Sequence, residues 1–124
     1  MIYLASPHSD PDPAVQEQRF EAVCKAAADL MQNGFLVFSP IVHSHPISKY
    51  GLPTDWEFWK KYDEEMLSFC SAFWIYTLPG WKESKGVGAE FSIASKLRKP
   101  IVMWSPGTTA SQIREIRQDK IVKL

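Results

Sequence analysis

Net charge is the first thing this chain lacks. Fourteen lysines and arginines balance 14 aspartates and glutamates over 124 residues, and the basic residues form no stripe. So balanced a chain has no field that would gather DNA or RNA non-specifically. A nucleic-acid polymer is therefore not the expected partner, while a single nucleotide stays open.

Cysteine is scarce as well. Cys24 and Cys70 lie far apart, each in a helix-like segment, with no Cys-x-x-Cys spacing. They read as small buried hydrophobes of a reducing compartment. No apolar run is long enough to span a bilayer. The chain opens directly into Ile2-Tyr3-Leu4-Ala5, with no signal-peptide pattern before it. The expectation is a cytoplasmic protein with no membrane partner.

Several familiar motifs are missing. There is no phosphate loop of the Walker type, and no Gly-x-Gly-x-x-Gly follows the first apolar run. That disfavours kinase and dinucleotide-binding readings. No serine sits in a nucleophile elbow, which disfavours acyl transfer. Internal repeats and low-complexity stretches are absent too, so the length points to a single domain over 1–124.

What is present is an alternation of short apolar runs and helical periods. Ile2–Ala5 reads as a buried strand, and the polar loop Ser6-Pro7-His8-Ser9-Asp10-Pro11 follows it. Asp12 before Pro13 signals a helix start. Val15, Phe20, Val23, Ala27, Leu30 and Met31 continue at helical spacing until Asn33-Gly34. Phe35-Leu36-Val37-Phe38 reads as the second strand. The stretch 39–53 shows no clear period and holds prolines, so it reads as a loop over the sheet edge. Thr54 with Glu57 suggests a capping box opening a helix rich in tryptophan. Phe73-Trp74-Ile75-Tyr76 is the third strand, a helix follows over about 88–97, and Ile101–Trp104 is the fourth strand. A last helix near 111–117 and a possible fifth strand at Ile121-Val122 complete the pattern. Strands alternating with helices imply an α/β fold, a doubly wound, flavodoxin-like parallel sheet of four or five strands with helices on both faces. Such sheets bind ligands beyond the carboxyl ends of their strands. The loops 6–10, 39–45, 78–90 and 105–111 are then the candidate site.

The most informative segment is Ser84-Lys85-Gly86-Val87-Gly88-Ala89-Glu90. Ser84, Gly86 and Gly88 let a ligand approach the backbone at a helix N-terminus, where phosphate or sugar is well held. Glu90 follows in what reads as the first turn. It is either a carboxylate placed to attack a sugar carbon or an ordinary first-turn acid favoured by the helix dipole. Asp63 lies among Trp59, Tyr62, Met66 and Leu67, so it either faces a ligand or belongs to a solvated helix face. His43 and His45, read as extended chain, would share one face. They suit a substrate contact or an exposed pair, and a third metal ligand is missing. Trp81, in Leu78-Pro79-Gly80-Trp81, could stack on a base or cover the core edge. Trp56 and Trp59 read as core or interface. Ser6, Ser84 and Ser111 are caps and turns, or three hydroxyls meeting one phosphate.

These features together resemble the nucleoside 2-deoxyribosyltransferase superfamily, which includes deoxynucleoside 5′-monophosphate N-hydrolases. Tyr3-Leu4-Ala5-Ser6-Pro7 is similar to that family's opening strand and loop. Ser84 to Glu90, with Ala94 beyond, is similar to the N-hydrolases' catalytic motif, and Asp63 falls at a helix aspartate near the sugar. Within the superfamily the chain looks most like a compact prokaryotic group with Ser39-Pro40, His43-Ser44-His45-Pro46, Asp55-Trp56-x-x-Trp59 and Leu78 to Trp81. It departs at Ser6 and Ser92, where glycines are usual, and at Ser71, where an aspartate is frequent.

The resemblance implies Glu90 as nucleophile at the anomeric carbon. Asp63 would orient the sugar or assist the leaving base, and Tyr3 would position Glu90 or substrate. Ser84, the amides near Gly86 and Gly88, and Ser111 from a neighbouring subunit would hold the 5′ group. It also implies a homodimer or higher homo-oligomer. The expected activity is that of an N-glycosidase or N-deoxyribosyltransferase on a nucleoside or nucleotide, with no cofactor and no metal. The alternatives are a non-catalytic nucleotide sensor on the same fold and an interaction module using the tryptophan-rich helix.

Overall fold

The computed structural model describes residues 1–114. Four parallel strands form one open sheet in the order β2-β1-β3-β4. They are β1 (Ile2–Ala5), β2 (Val37–Phe38), β3 (Ala72–Tyr76) and β4 (Ile101–Trp104). The helices are α1 (Pro13–Gln32), α2 (Pro40–Ser48), α3 (Trp56–Phe69) and α4 (Lys85–Lys96). Helical backbone resumes at Ala110 and reaches Arg114. The expected helix over 111–117 lies partly outside the described residues, and the expected strand at Ile121-Val122 lies wholly outside them.

From β1 the chain steps to β2, then returns past β1 to β3. Right-handed crossovers then place α1 on one face and α3 and α4 on the other. β1 and the middle of β3 are apolar in every register because both their faces are covered, whereas Ile101 and Met103 of the edge strand β4 are exposed. Ile2, Leu4, Trp74 and Trp104 pack under α1, which contributes Val23, Ala26, Ala27 and Leu30. Tyr3, Ala5, Phe73 and Ile75 pack on the opposite face against Leu67 of α3 and Val87 and Ala94 of α4. Reversal of strand order between β1 and β3 opens a crevice at their carboxyl ends.

Local chemistry sets the helix boundaries. Asp12 caps α1 by accepting from the Ala14 amide, Pro13 takes the first helical position, and Gly34 at φ 86° allows the chain to turn off after Asn33. Met31, counted in the apolar stripe, is exposed.

Three sequence expectations need correction here. The stretch 39–53 is not a loop throughout, because Pro40–Ser48 is helical. Ser39 caps it through the Val42 amide, and Pro40 is preorganised for the first position. Pro46 falls in its last turn, where the missing N–H costs only one hydrogen bond. Thr54 is not the cap of α3. Asp55 is, accepting from the Phe58 amide at 3.2 Å. Helix α4 starts at Lys85 rather than near Gly88, with Ser84 as cap. Glu90 therefore sits in the second turn, beyond the strongest reach of the helix dipole.

Candidate active site

Helical spacing explains how a carboxylate comes to lie in the core. Val87, Glu90 and Ala94 occupy one buried stripe of α4, facing the sheet. Asp63 lies on the buried stripe of α3, one turn before Leu67. Tyr3 points to the same side from the centre of β1. Two acids and a phenol thus converge on one apolar layer, where ordinary packing would place aliphatic side chains.

Tyr3 is fully buried between aromatic neighbours, stacking on Phe73 at 5.8 Å and tilting against Phe38 at 5.6 Å. Its hydroxyl donates a short hydrogen bond to Oε2 of Glu90. Burial, with Glu90 next, raises the Tyr3 phenol well above its usual range, so it remains a donor. Glu90 is 5% exposed and Asp63 8%. Burial pushes Glu90 up to about 8; the Tyr3 bond works against this and the charge of Asp63 adds to it. Burial alone raises Asp63 to about 7. Glu90 and Asp63 are thus two acids raised toward neutrality in one apolar layer, and Glu90 senses the charge of Asp63.

Both open onto a cleft of about 780 Å³, within the ordinary range of small-molecule sites. Ser6, His8 and Ser9 line it after β1, and Pro40, Ile41, Ser44 and His45 line it from α2. Trp56, Trp59 and Asp63 line it from α3, and Ser84, Lys85, Gly86 and Glu90 from α4. Ser84 Oγ takes the Val87 amide of α4, while the amides of Lys85 and Gly86 ahead of it have no partner within the helix and lie at the cleft. Ser6 Oγ adds a second invitation: the residue is 4% exposed and its hydroxyl has no hydrogen-bond partner among the described residues. A buried orphan hydroxyl costs free energy unless something else completes it.

The expected residues separate into two groups. Glu90, Asp63, Ser6, Ser84, Gly86 and His45 line the cleft, and Tyr3 holds Glu90 from beneath. Gly88 is exposed on the outer side of α4, with open space where a side chain would stand. Trp81 packs against the core layer under α4, with the Lys82 ammonium 5.7 Å from its ring. Ser111 is exposed near the start of the helical segment after β4 and does not line its own chain's cleft. His43 and His45 do not share a face. On a helix, two residues apart means about 200° of rotation. His45 lines the cleft, while His43 stacks on Tyr62 at 5.1 Å.

Sequence reading missed His8 and Glu17 and misplaced two tryptophans. Trp56 and Trp59 line the cleft with Asp63. Their spacing of three, then four, residues places all three on one helical stripe, and that was the available signal. His8 lay inside a candidate loop, but nothing local distinguishes it. Glu17 looks like any exposed helix acid.

A family model described as a domain of unknown function (DUF1937) matches residues 1–106. That span takes in Tyr3, Asp63, Glu90 and every residue lining the cleft. No curated protein matches the chain.

Proposed function

We propose that this chain, which belongs to the DUF1937 family, cleaves the bond between base and sugar in a nucleoside or nucleoside 5′-monophosphate. The observation that carries the proposal is Glu90 itself. It is a buried carboxyl in an apolar stripe, gripped by Tyr3, beside Asp63, and open to the cleft. Burying an acid there is costly unless its charge is used. The resemblance of Ser84 to Glu90 to the deoxyribosyltransferase superfamily supports the same reading.

The reactive form is the one in which Glu90 is ionised. Ionised Glu90 attacks the anomeric carbon, the carbon–nitrogen bond breaks, and its electron pair leaves with the base. Positive charge developing on the sugar favours the ionised form of Glu90 in the transition state, where the empty cleft disfavours it. Asp63 orients a sugar hydroxyl. Water then opens the glycosyl ester, or a second base takes the sugar. The α4 N-terminus, Ser84 and the Ser6 hydroxyl hold the 5′ group, and Trp56 and Trp59 offer apolar walls. The chemistry needs neither metal nor organic cofactor. A homodimer or larger homo-oligomer goes with this reading, and sedimentation tests it.

A second reading has its own support. An acid held up to about 8 is neutral near pH 7 and can donate a hydrogen bond instead of attacking. The same cleft would then sense a nucleotide without cutting it. Incubation with a panel of nucleosides and 5′-monophosphates, followed by chromatography, separates the two. Free base supports the glycosidase, while binding without free base supports the sensor.

A further inference from the structure

The cleft has a second polar row, on the side away from the acid pair's own helices. His8, in the loop after β1, meets His45 of α2 edge to face, with Nε2 of His8 2.7 Å from Nδ1 of His45. Nε2 of His45 lies 2.9 Å from Oε2 of Glu17 on α1. Phe20, one turn along α1, stacks on the His45 ring at 4.2 Å and fixes its plane. The His45 side chain is 19% exposed and that of Glu17 is 59%. The row therefore runs from the cleft wall to solvent. Nδ1 of His8 makes no hydrogen bond among the described residues, although His8 lines the cleft.

This is not metal geometry. Two nitrogens on one tetrahedral zinc, each at about 2.0–2.1 Å, stand about 3.3 Å apart. The observed 2.7 Å is a hydrogen bond. Such a row has two proton registers. With His45 neutral, His8 Nε2–H donates to His45, His45 Nε2–H donates to Glu17, and His8 Nδ1 is a bare acceptor. With His45 protonated, it donates to both neighbours, and His8 Nδ1 carries the proton toward the cleft.

The geometry points to Glu17, His45 and His8 as a proton relay for the departing base, with His8 the catalytic acid and His45 and Glu17 its positioning residues. This rests on the glycosidase reading above. As the carbon–nitrogen bond breaks, its electron pair goes to the base. The base takes the Nδ1 proton of His8, and His8 Nε2 takes the Nδ1 proton of His45. His45 ends neutral, its Nε2–H still on Glu17, and solvent reprotonates it.

The surrounding charges fit that division of labour. Arg19 of α1 donates to the carbonyls of His8 and Ser9, placing a cation beside His8. Burial first, then His45 and Arg19, hold His8 down to about 4, with Glu17 opposing. His8 therefore passes a proton without storing one. Glu17 gives His45 a carboxylate acceptor at the far end of the row. Lys49, just after α2, and Asp55, Asp63, Glu83, Lys85 and Glu90 across the cleft are the other charged groups lining it.

The test compares two substrates of one sugar. One is the nucleoside that releases base in the panel assay. The other is its 4-nitrophenyl glycoside, whose leaving group departs as a stable anion and needs no proton. His8→Ala is expected to lose about 100-fold or more on the nucleoside and to stay near wild type on the nitrophenyl glycoside. Glu17→Gln, a change at an exposed side chain, is expected to keep the nitrophenyl activity. On the nucleoside it should lower kcat with KM little changed, because the row has lost the carboxylate that orients His45. Equal loss on both substrates in His8→Ala, an unchanged nucleoside rate in that variant, or an unchanged nucleoside kcat in Glu17→Gln overturns the relay. The same holds if Asp63→Asn, not His8→Ala, shows the leaving-group-dependent loss. Wild-type protein that cleaves neither substrate instead removes the glycosidase reading, and the relay's role with it.

Discussion

The Tyr3 hydroxyl donates to Oε2 of Glu90 across a sequence separation of 87 residues, joining the first strand to the second turn of α4. This bond aims the carboxyl, and it also moderates the rise in the Glu90 pKa that burial imposes. Removing it has consequences for both geometry and titration.

Tyr3→Phe is expected to shift the rising limb of the pH–rate profile to higher pH. The Tyr3 bond favours the ionised carboxylate, so its loss leaves Glu90 protonated over a wider range. The cost in stability should be about 1–3 kcal/mol, since a buried carboxyl loses its partner. Base release measured from pH 5 to 9, with a parallel thermal melt, checks both. An unmoved limb would mean that the hydroxyl has no influence on Glu90.

Stability should fall as pH rises from the ordinary carboxylate range toward 8. Glu90 and Asp63 both have folded-state pKa values above those of the unfolded chain. Between the two values the folded state holds protons that the unfolded state releases, so raising the pH favours unfolding. The contribution is fully present below the unfolded pKa values and lost through about 7 and 8. Glu90→Gln keeps the carboxyl's shape without its charge. Urea melts should show this variant gaining on wild type by about a few kcal/mol at pH 9 and by little at pH 4. A difference independent of pH contradicts the assignment.

Ser6→Ala separates stability from binding. The Ser6 hydroxyl has no partner in the described residues, so its removal should leave the melting temperature unchanged or slightly higher. Ligand affinity, measured by calorimetry with the nucleotide found in the panel, should weaken by about tenfold. A stability loss without an affinity loss would place the hydroxyl in the scaffold alone.

Gly80 joins the loop after β3 to the loop after β1. It adopts φ 93°, and a Cβ there would stand 2.5 Å from Nη2 of Arg19. Arg19 in turn donates to the carbonyls of Ser9 and Pro79. Gly80→Ala is expected to cost about 1–2 kcal/mol, mostly from the left-handed backbone, because the guanidinium is the movable end of its side chain. A thermal melt within error of wild type contradicts this.

The sheet was legible because each strand is a short apolar run between turn residues, and α1 carries both a proline start and a glycine stop. Glu90, Asp63 and Ser84 were legible because small residues and acids stand out in apolar surroundings. Residues 39–53 misled because Pro46 and the mixed polarity suggest a loop, whereas the Ser39 cap and Pro40 only become decisive with β2 in place. His43 and His45 then parted company, since a helix separates what a strand would have joined. The row in which His45 bridges His8 and Glu17 joins α2 to the loop after β1 and to α1, across 37 and 28 residues of sequence. No local pattern encodes that contact; it follows from how α1 and α2 pack over the end of β1.

The most direct trial of the account follows base release by wild type and Glu90→Ala on the same nucleotide, with melting curves confirming that both are folded. Wild type should liberate base with a burst as the sugar transfers to the protein, and the added glycosyl mass should map to the peptide carrying Glu90. The alanine variant should release none. Full turnover by that variant, or a glycosyl group found on another side chain, would contradict the central role given to this buried acid.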